Sequence, residues 1–420
     1  MTQARVKDSV LILGNYRPTL AVARALGEEG HHVIVSEDDD RVAGARYSRF
    51  VDEMWDHPDL DAEAGATFKQ ALKLFLDQRP DITAIVPVAE EFVVWLAKNG
   101  TSLPADITIV SPEARIVELC LDKLRMLDLT SRTGIACAPY AVVKTLEYLY
   151  EQAAKIGYPI IVRPLSSLNR LGHKKAIICQ DHDELMEVFS TWPAKHPGLL
   201  LQRYVSGVRH NLYFIAVNGE IRSLLEITVT RTDQHDGTGL ATEGLHIAVT
   251  AAFRKDSQRL VRELDYTGIG CIQFVRDPET GEATFLEINP RIAGNQRCAE
   301  AVGMPLTRSA LHLARGKTDL GLDPAHRYPA GIYFCWLSGD LYGLKEAIQH
   351  GEIGPGGVII WTLQIIRSLL RARIHMMFSW RDPLPPFALL LRHAGRIVAA
   401  KFGSRDDAAA NVAVPGGHRP

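Results

Sequence analysis

The sequence predicts a mixed architecture: α/β at the N-terminus, α+β through the middle, and a mostly helical C-terminal region. Three observations predict it. Short apolar runs alternate with helical patterns over the first quarter of the chain, the mark of a parallel sheet with covered faces. Asn218-Gly219 and Asp277-Pro278-Glu279-Thr280-Gly281 each separate two apolar runs, as antiparallel hairpins require. Beyond Val358 the apolar spacing turns helical. At 420 residues the chain exceeds one ordinary core, so two to four domains are expected.

Composition narrows the function classes. Hydrophobic content of 46% and charged content of 23% are those of a soluble globular protein. A net charge of -2 and a pI near 6.7 give no reason to expect a nucleic-acid partner. Cys120, Cys137, Cys179, Cys271, Cys298 and Cys335 form no C-x-x-C pair, and several sit in apolar runs. Buried free thiols in a reducing compartment are expected. Residues 1–5 lead into a strand without a signal-peptide apolar region, and no uncharged run reaches the ~18 residues of a spanning helix. The expected localisation is cytoplasmic.

In chain order, Val10-Leu11-Ile12-Leu13 reads as a buried strand, Pro18 to Gly27 as a helix, and His32-Val33-Ile34-Val35 as a second strand. Ile82–Val88 and Ile107–Val110 continue the strands, with helices at Phe68–Gln78 and Glu91–Lys98. Such a sheet invites a dinucleotide, but Gly14-Asn15-Tyr16-Arg17-Pro18 is not G-x-G-x-x-G, and Pro18 removes an amide from the turn. Ser111 as N-cap and Pro112 at N1 start a helix that is expected to run through Lys123 to Arg132, closed by Gly134. Glu147–Ile156 is a helix ended by Gly157, and Tyr158–Pro164 a strand with Arg163 at its exit. A loop over 164–174 carries Ser166, Ser167, Asn169, Arg170, His173 and Lys174 but a single glycine, Gly172.

Leu199–Gly207 reads as strand and turn, and Asn218-Gly219 joins strands Leu212–Val217 and Ile221–Thr230 through a type I′ turn. Arg231 to Gly244 is expected to be a polar loop over the acceptor substrate, with Arg231, His235 and Glu243 as candidates there. Ser257–Tyr266 is a helix. The next hairpin carries the chemistry. Period-2 alternation sets Gln273 opposite in face to Ile272 and Phe274, and puts Glu287 and Asn289 on one face of the return strand. One carboxylate and two amides suit Mg²⁺ (or Mn²⁺), which keeps substrate phosphates and waters as further ligands. Arg291, just beyond, can hold a phosphoryl oxygen that gains charge in transfer. Val358–His375 is an amphipathic helix with Gln364, Arg367, Arg371 and His375 on one stripe. Such a helix can lie on an anionic membrane surface, but covering a sheet with its apolar face is the favoured expectation. After the Trp380–Pro386 breaker a last helix, Phe387–Phe402, and a disordered tail, 404–420, are expected.

Glu287-Ile288-Asn289-Pro290-Arg291 after a strand bearing Gln273 resembles the metal-binding end of the ATP-grasp superfamily. The wording is similar to carbamoyl-phosphate synthetase, where glutamine also stands first and Arg-Pro-Ser matches Arg163-Pro164, over roughly residues 113–316. The resemblance implies a Rossmann-like domain over 1–112 and an ATP-grasp domain over 113–318. Within the latter it implies a lid at about 140–200 and a metal-site subdomain at about 201–318; the helical region expected over 319–403 rests on the apolar spacing, not on the resemblance. The resemblance implies ATP as cosubstrate, with Lys123 and Arg163 on its phosphates, the latter bidentately. Adenine would meet backbone groups of Arg203 and Val205, with Gln202 alongside. The family's ribose-binding acid is replaced by Arg209, leaving Glu226 or Glu243 as substitutes. The implied reaction is ligation of a small-molecule carboxylate to an amine, or a thiol, through an acyl phosphate, with Arg163 and Arg291 as catalytic groups. Phosphorylation of bicarbonate or carbamate and a non-catalytic nucleotide-binding scaffold are the alternatives. A homo-oligomer is compatible with all three.

Overall fold

The computed structural model describes residues 8–37, 44–60, 65–166, 169–172, 174–389 and 391. Strands β1 (Ser9–Leu13), β2 (His32–Glu37), β3 (Glu53–Asp56), β4 (Ile82–Pro87) and β5 (Thr108–Ile109) form a parallel sheet in the order β3-β2-β1-β4-β5. Alternation along β1 explains why both faces need cover. Val10 and Ile12 pack with Leu20, Val22 and Leu26 of α1 (Thr19–Glu28). Leu11 and Leu13 face the other way, onto Phe68 and Leu72 of α2 (Ala66–Gln78) and Phe92 and Leu96 of α3 (Glu90–Asn99). β3 has no sequence signal because Glu-Met-Trp-Asp at a half-buried edge is not an apolar run. The chain proceeds outward from β1 and returns to β4, so the strand order reverses between these two.

The helix expected from Ser111 to Arg132 is two helices, α4 (Ala114–Leu121) and α5 (Lys123–Arg132). Asp122 breaks it with extended backbone (φ -82, ψ 99), and its carboxylate accepts from the Arg125 amide as the N-cap of α5. The next unit is a four-stranded antiparallel sheet of β6 (Tyr140–Val143), β7 (Ile160–Pro164), β8 (Ile177–Cys179) and β9 (Leu199–Arg203), ordered β6-β9-β7-β8. It is backed by α6 (Leu146–Ile156) and α7 (His182–Val188) through Leu149, Ala153 and Leu185.

The largest sheet places β10 (Val208–Val217), β11 (Glu220–Thr232), β12 (Ala241–Ile247), β13 (Gly268–Arg276), β14 (Ala283–Asn289), β15 (Tyr333–Cys335) and β16 (Ile374–His375) in the order β14-β13-β10-β11-β12-β15-β16. Positive φ at Asn218 (50°) and Gly219 (74°) gives the β10–β11 turn its primed geometry. Leu212, Phe214, Ile272 and Phe274 point to one face, under α5 and α8 (Ala251–Glu263). Tyr213, Ile215 and Cys271 point to the other, where α9 (Gln296–Ala301), α10 (Leu306–Ala314) and α1 meet in one continuous core. The N-terminal sheet and the large sheet therefore share their packing.

Three expectations change in the C-terminal half. The expected 231–244 loop is shorter, over 233–240, since β11 runs to Thr232 and β12 starts at Ala241. The helical region, α11 (Leu337–Gln349) and α12 (Pro355–Arg371), also contributes β15 and β16 to the large sheet, and His375 lies on a strand. α12 does not bury its whole apolar content: Trp361 and Ile365 are buried, but Leu363 is 60% and Leu370 84% exposed. The last expected helix lies outside the described residues from position 392 on, as does the 404–420 tail. The six cysteines are free thiols. Among the described residues no helix is long and apolar enough to cross a membrane.

Candidate active site

The β13–β14 ladder pairs Gln273 directly with Glu287 and Cys271 with Asn289. Directly paired residues share a face, so the three oxygen-bearing side chains point together. Asn289 donates to a Glu287 carboxylate oxygen at 2.9 Å. On the next strand Asn211 pairs with Gln273, which extends the polar strip onto β10. Phe274, Ile288 and Phe285 fill the opposite face, and that packing fixes the register.

Cations converge on Glu287. The break at Asp122 turns Lys123 inward, and its ammonium donates to the Pro164 carbonyl at 2.9 Å, at the exit of β7. Lys123 is therefore not on a solvated helix face. Burial first, then Arg163, pushes its pKa down to about 8, while Glu287 and Glu90 act in the opposite direction. Arg163 extends from β7, and its guanidinium donates to the Gln202 side-chain oxygen at 2.5 Å. Burial lowers its pKa, with Glu287 the opposing charge. Gln202 thus positions Arg163, beyond the role beside adenine expected for it. Arg163 Nε and Gln202 Nε2 have no hydrogen-bond partner among the described residues. Buried donors without acceptors in a cationic pocket fit an incoming oxyanion.

The β9 exit holds the segment expected to meet adenine. The Arg203 amide bonds Pro139 O and the Tyr204 amide bonds Pro159 O, both at 2.9 Å. The Arg203 guanidinium turns away to Ile156 O at 3.2 Å, and half-buried Val205 follows the end of β9. Arg209 donates to Gly239 O at 3.0 Å and is influenced by Glu287 and Asp233. Neither proposed substitute for the ribose acid is at the site. Glu226 is on the opposite face, accepting from the Thr250 amide at 2.6 Å and bonded to His210 at 2.6 Å. Glu243 is held by Arg231 at 3.2 Å and by Ser368.

Arg291 pairs with Glu90 at 2.9 Å. Glu90 begins α3, straight after β4, and nothing in its local sequence singled it out. The rule that open parallel sheets bind ligands outside their strand C-termini could have found it. Arg231 forms a two-pronged pair with Asp340 at 2.6 and 2.7 Å, and His235 lies 3.2 Å from Glu352. Arg231 therefore ties β11 to α11, and His235, in the 233–240 loop, meets the segment between α11 and α12. Glu352 also holds Lys174 of the 164–174 loop at 2.9 Å; Ser167 and His173 of that loop lie outside the described residues.

Residues 122–321 match the family model described as the carbamoyl-phosphate synthase L chain, ATP binding domain. Among solved structures, the fold is similar to the biotin carboxylase domain of Hydrogenobacter thermophilus 2-oxoglutarate carboxylase. That structure was solved with MgADP, ADP and bicarbonate; identity is 17%, TM-score 0.60, and 78% of this chain and 73% of that chain are covered. It is also similar to Campylobacter jejuni biotin carboxylase (18%, TM-score 0.57, 74% and 71% covered). A third is N5-carboxyaminoimidazole synthetase from Staphylococcus aureus (16%, TM-score 0.56, 74% and 78%). These likenesses establish the fold, and the family match to an ATP-binding domain covers the segment that carries Lys123, Arg163 and the Gln273–Glu287–Asn289 strip.

Proposed function

We propose that this protein is an ATP- and Mg²⁺-dependent ligase that joins a carboxylate to an amine or similar nucleophile through an acyl phosphate. One observation carries the reading. The carboxylate of Glu287, with the amides of Gln273 and Asn289 beside it, acts on the buried cations Lys123 and Arg163, and Arg163 Nε has no partner among the described residues. Glu90, the other acid acting on Lys123, is itself engaged by Arg291, so a polyphosphate with its metal fits the charge that Lys123 and Arg163 present. The donor set of one carboxylate and two amide oxygens suits a hard cation of low protein coordination. The proposed nucleotide-binding unit spans 113–318, with its lid over about 140–200.

Bound Mg·ATP would supply the phosphoryl group and neutralise its charge. Glu287, Gln273 and Asn289 would hold the cation, while Lys123 and Arg163 fix phosphate oxygens, Arg163 being steadied by Gln202. Backbone groups at Arg203 and Val205 would take the adenine edge. Arg291, oriented by Glu90, would stabilise the negative charge that develops as the phosphoryl group moves to the carboxylate. Bicarbonate as the phosphorylated acid is a second reading, favoured by Gln273 as the first donor.

Hydroxylamine intercepts acyl phosphates, so protein, Mg·ATP and pooled carboxylates should yield a hydroxamate and stoichiometric ADP, with bicarbonate followed separately by ADP release. Glu287→Ala should abolish Mg-dependent ATP binding. Arg291→Ala should cut hydroxamate yield far more than ATP affinity. Retained ATP binding with no ATP consumption in any arm would leave a nucleotide-binding scaffold as the function.

A further inference from the structure

Deep arginines in this protein fall into two kinds. Arg24 pairs with Asp382 and Arg231 with Asp340, each through a direct carboxylate hydrogen bond. Arg17 and Arg209 do otherwise. Arg17 gives one nitrogen to the Ala241 carbonyl at 2.9 Å and lies 4.2 Å over the Trp336 ring. Arg209 gives one to the Gly239 carbonyl. The Nε atoms of both are buried and have no partner among the described residues. The two guanidiniums repel each other and share one nearby acid, Asp233. Asp233 is a weak counter-charge: burial raises its pKa despite both arginines, and its Oδ1 is spent on the Leu240 amide at 2.7 Å.

The surroundings are built to admit Arg17. Any side chain at residue 294 would collide with it, since a Cβ on Gly294 would lie 2.2 Å from an Arg17 nitrogen. Asn295, the next residue, is 3% exposed, and neither its side-chain oxygen nor its nitrogen has a partner among the described residues. Leaving several buried polar groups unpaired is costly, more so for charged ones, unless a ligand completes them. Arg17 follows β1 as Glu90 follows β4, so both stand at the reversal of strand order where open parallel sheets take their ligands. Arg209, Asn211 and Tyr213 alternate on one face of β10, with Asn211 two strands from Glu287. At a strand spacing of about 4.8 Å that is roughly 10 Å from the metal-binding strip.

We infer that Arg17 and Arg209, with Asn295, form a pocket for a second oxyanion on the acid substrate. The substrate is then at least a dianion, with one carboxylate presented to Arg291 and a carboxylate or phosphate seated between Arg17 and Arg209. The substrate assignment rests on the ligase reading, whereas the anion pocket itself does not need ATP. Bicarbonate alone is too small to span both positions.

Calorimetric titration of butyrate, glutarate and phosphonobutyrate, with and without Mg·ADP, tests this. Wild type should bind a dianion at least tenfold more tightly than butyrate. The dianion that gains more identifies the second group as carboxylate or phosphate. Arg17→Gln should erase the preference while Mg·ATP affinity stays within twofold, and Arg209→Gln should also erase it. Arg17→Lys and Arg209→Lys, which keep the charge, should fold and retain part of it. Equal binding of mono- and dianions by wild type, or a preference that survives both glutamine variants, overturns the inference. A dianion preference without Mg·ATP binding would uphold the pocket and sink the ligase reading; ATP binding without the preference does the reverse.

Discussion

Lys123 shows at the residue scale what the proposed polyphosphate site would demand of the fold. Its ammonium is held among cations and away from water, with its pKa lowered to about 8. A lysine titrating below its unfolded value destabilises the fold wherever it is still charged. That cost is fully present below pH 8 and fades as pH rises towards the unfolded value of 10.5. Lys123→Met should therefore raise the melting temperature of the ligand-free protein at pH 7, and the gain should shrink between pH 8 and 10.5. The same variant should bind Mg·ATP at least tenfold more weakly, by loss of a charge-assisted hydrogen bond. A lower melting temperature at pH 7 would show that the bond to Pro164 outweighs desolvation. Arg209 supplies a second prediction. Glu226 and Glu243 are both engaged elsewhere, so neither is placed for the ribose hydroxyls. ATP and 2′-deoxy-ATP should bind within a few-fold of each other, because a hydrogen bond to a charged partner would be worth ~1.5–3 kcal/mol. A preference for ATP of tenfold or more, measured by competition, would require another ribose ligand.

Elements show where local signals compete. Ser111-Pro112 looks like a helix start, yet the helix begins at Ala114 without a side-chain cap, and Asp122 supplies the cap of a second helix. Asp122→Ala should cost about 1 kcal/mol in urea unfolding, a typical loss for an N-cap, and should also weaken ATP binding by loosening Lys123. A loss of binding without a loss of stability would place Asp122 in contact with the ligand instead. In α12 the apolar residues divide between a buried side, Trp361 and Ile365, and an exposed side, Leu363 and Leu370. Leu363→Gln with Leu370→Gln should change stability by no more than about 0.5 kcal/mol, as exposed substitutions do. A larger loss would mean that something covers this side in solution.

The whole molecule is tied together by its C-terminal region. The Trp361 indole and both prongs of Arg231 meet at Asp340, which joins α11, α12 and β11. Asp382 accepts from Arg24, Ser48 and the Arg49 amide, fastening the chain's later part to its first helix. Arg24 and Asp382 side chains are 4% and 2% exposed, so removing the carboxylate strands a buried guanidinium. Asp382→Ala should destabilise the protein by ~3–5 kcal/mol, measured by denaturant unfolding. A loss below about 1 kcal/mol would show that water reaches Arg24 in solution.

Local pattern was sufficient for much of this protein. Period-2 alternation alone placed Gln273, Glu287 and Asn289 on one face, because a strand's side chains have no other choice once its core face is filled by Ile272, Phe274 and Ile288. The alternation of strands and helices likewise determined the parallel N-terminal sheet, and Asn218-Gly219 its hairpin, since only positive φ suits that turn. What the tertiary structure decided involves partners far apart in sequence. Glu90 meets Arg291 across 201 positions, Arg17 reaches Ala241 across 224, and Arg24 finds Asp382 across 358. Apart from Arg291, none of these residues carries a local motif, because an ion pair or an anion pocket depends on proximity and shared burial, and proximity is set by which sheets pack together. Glu226 and Glu243 make the same point in reverse. Both are acids near the expected place in sequence, yet strand register turned one to the opposite face and a helix from the C-terminal region claimed the other.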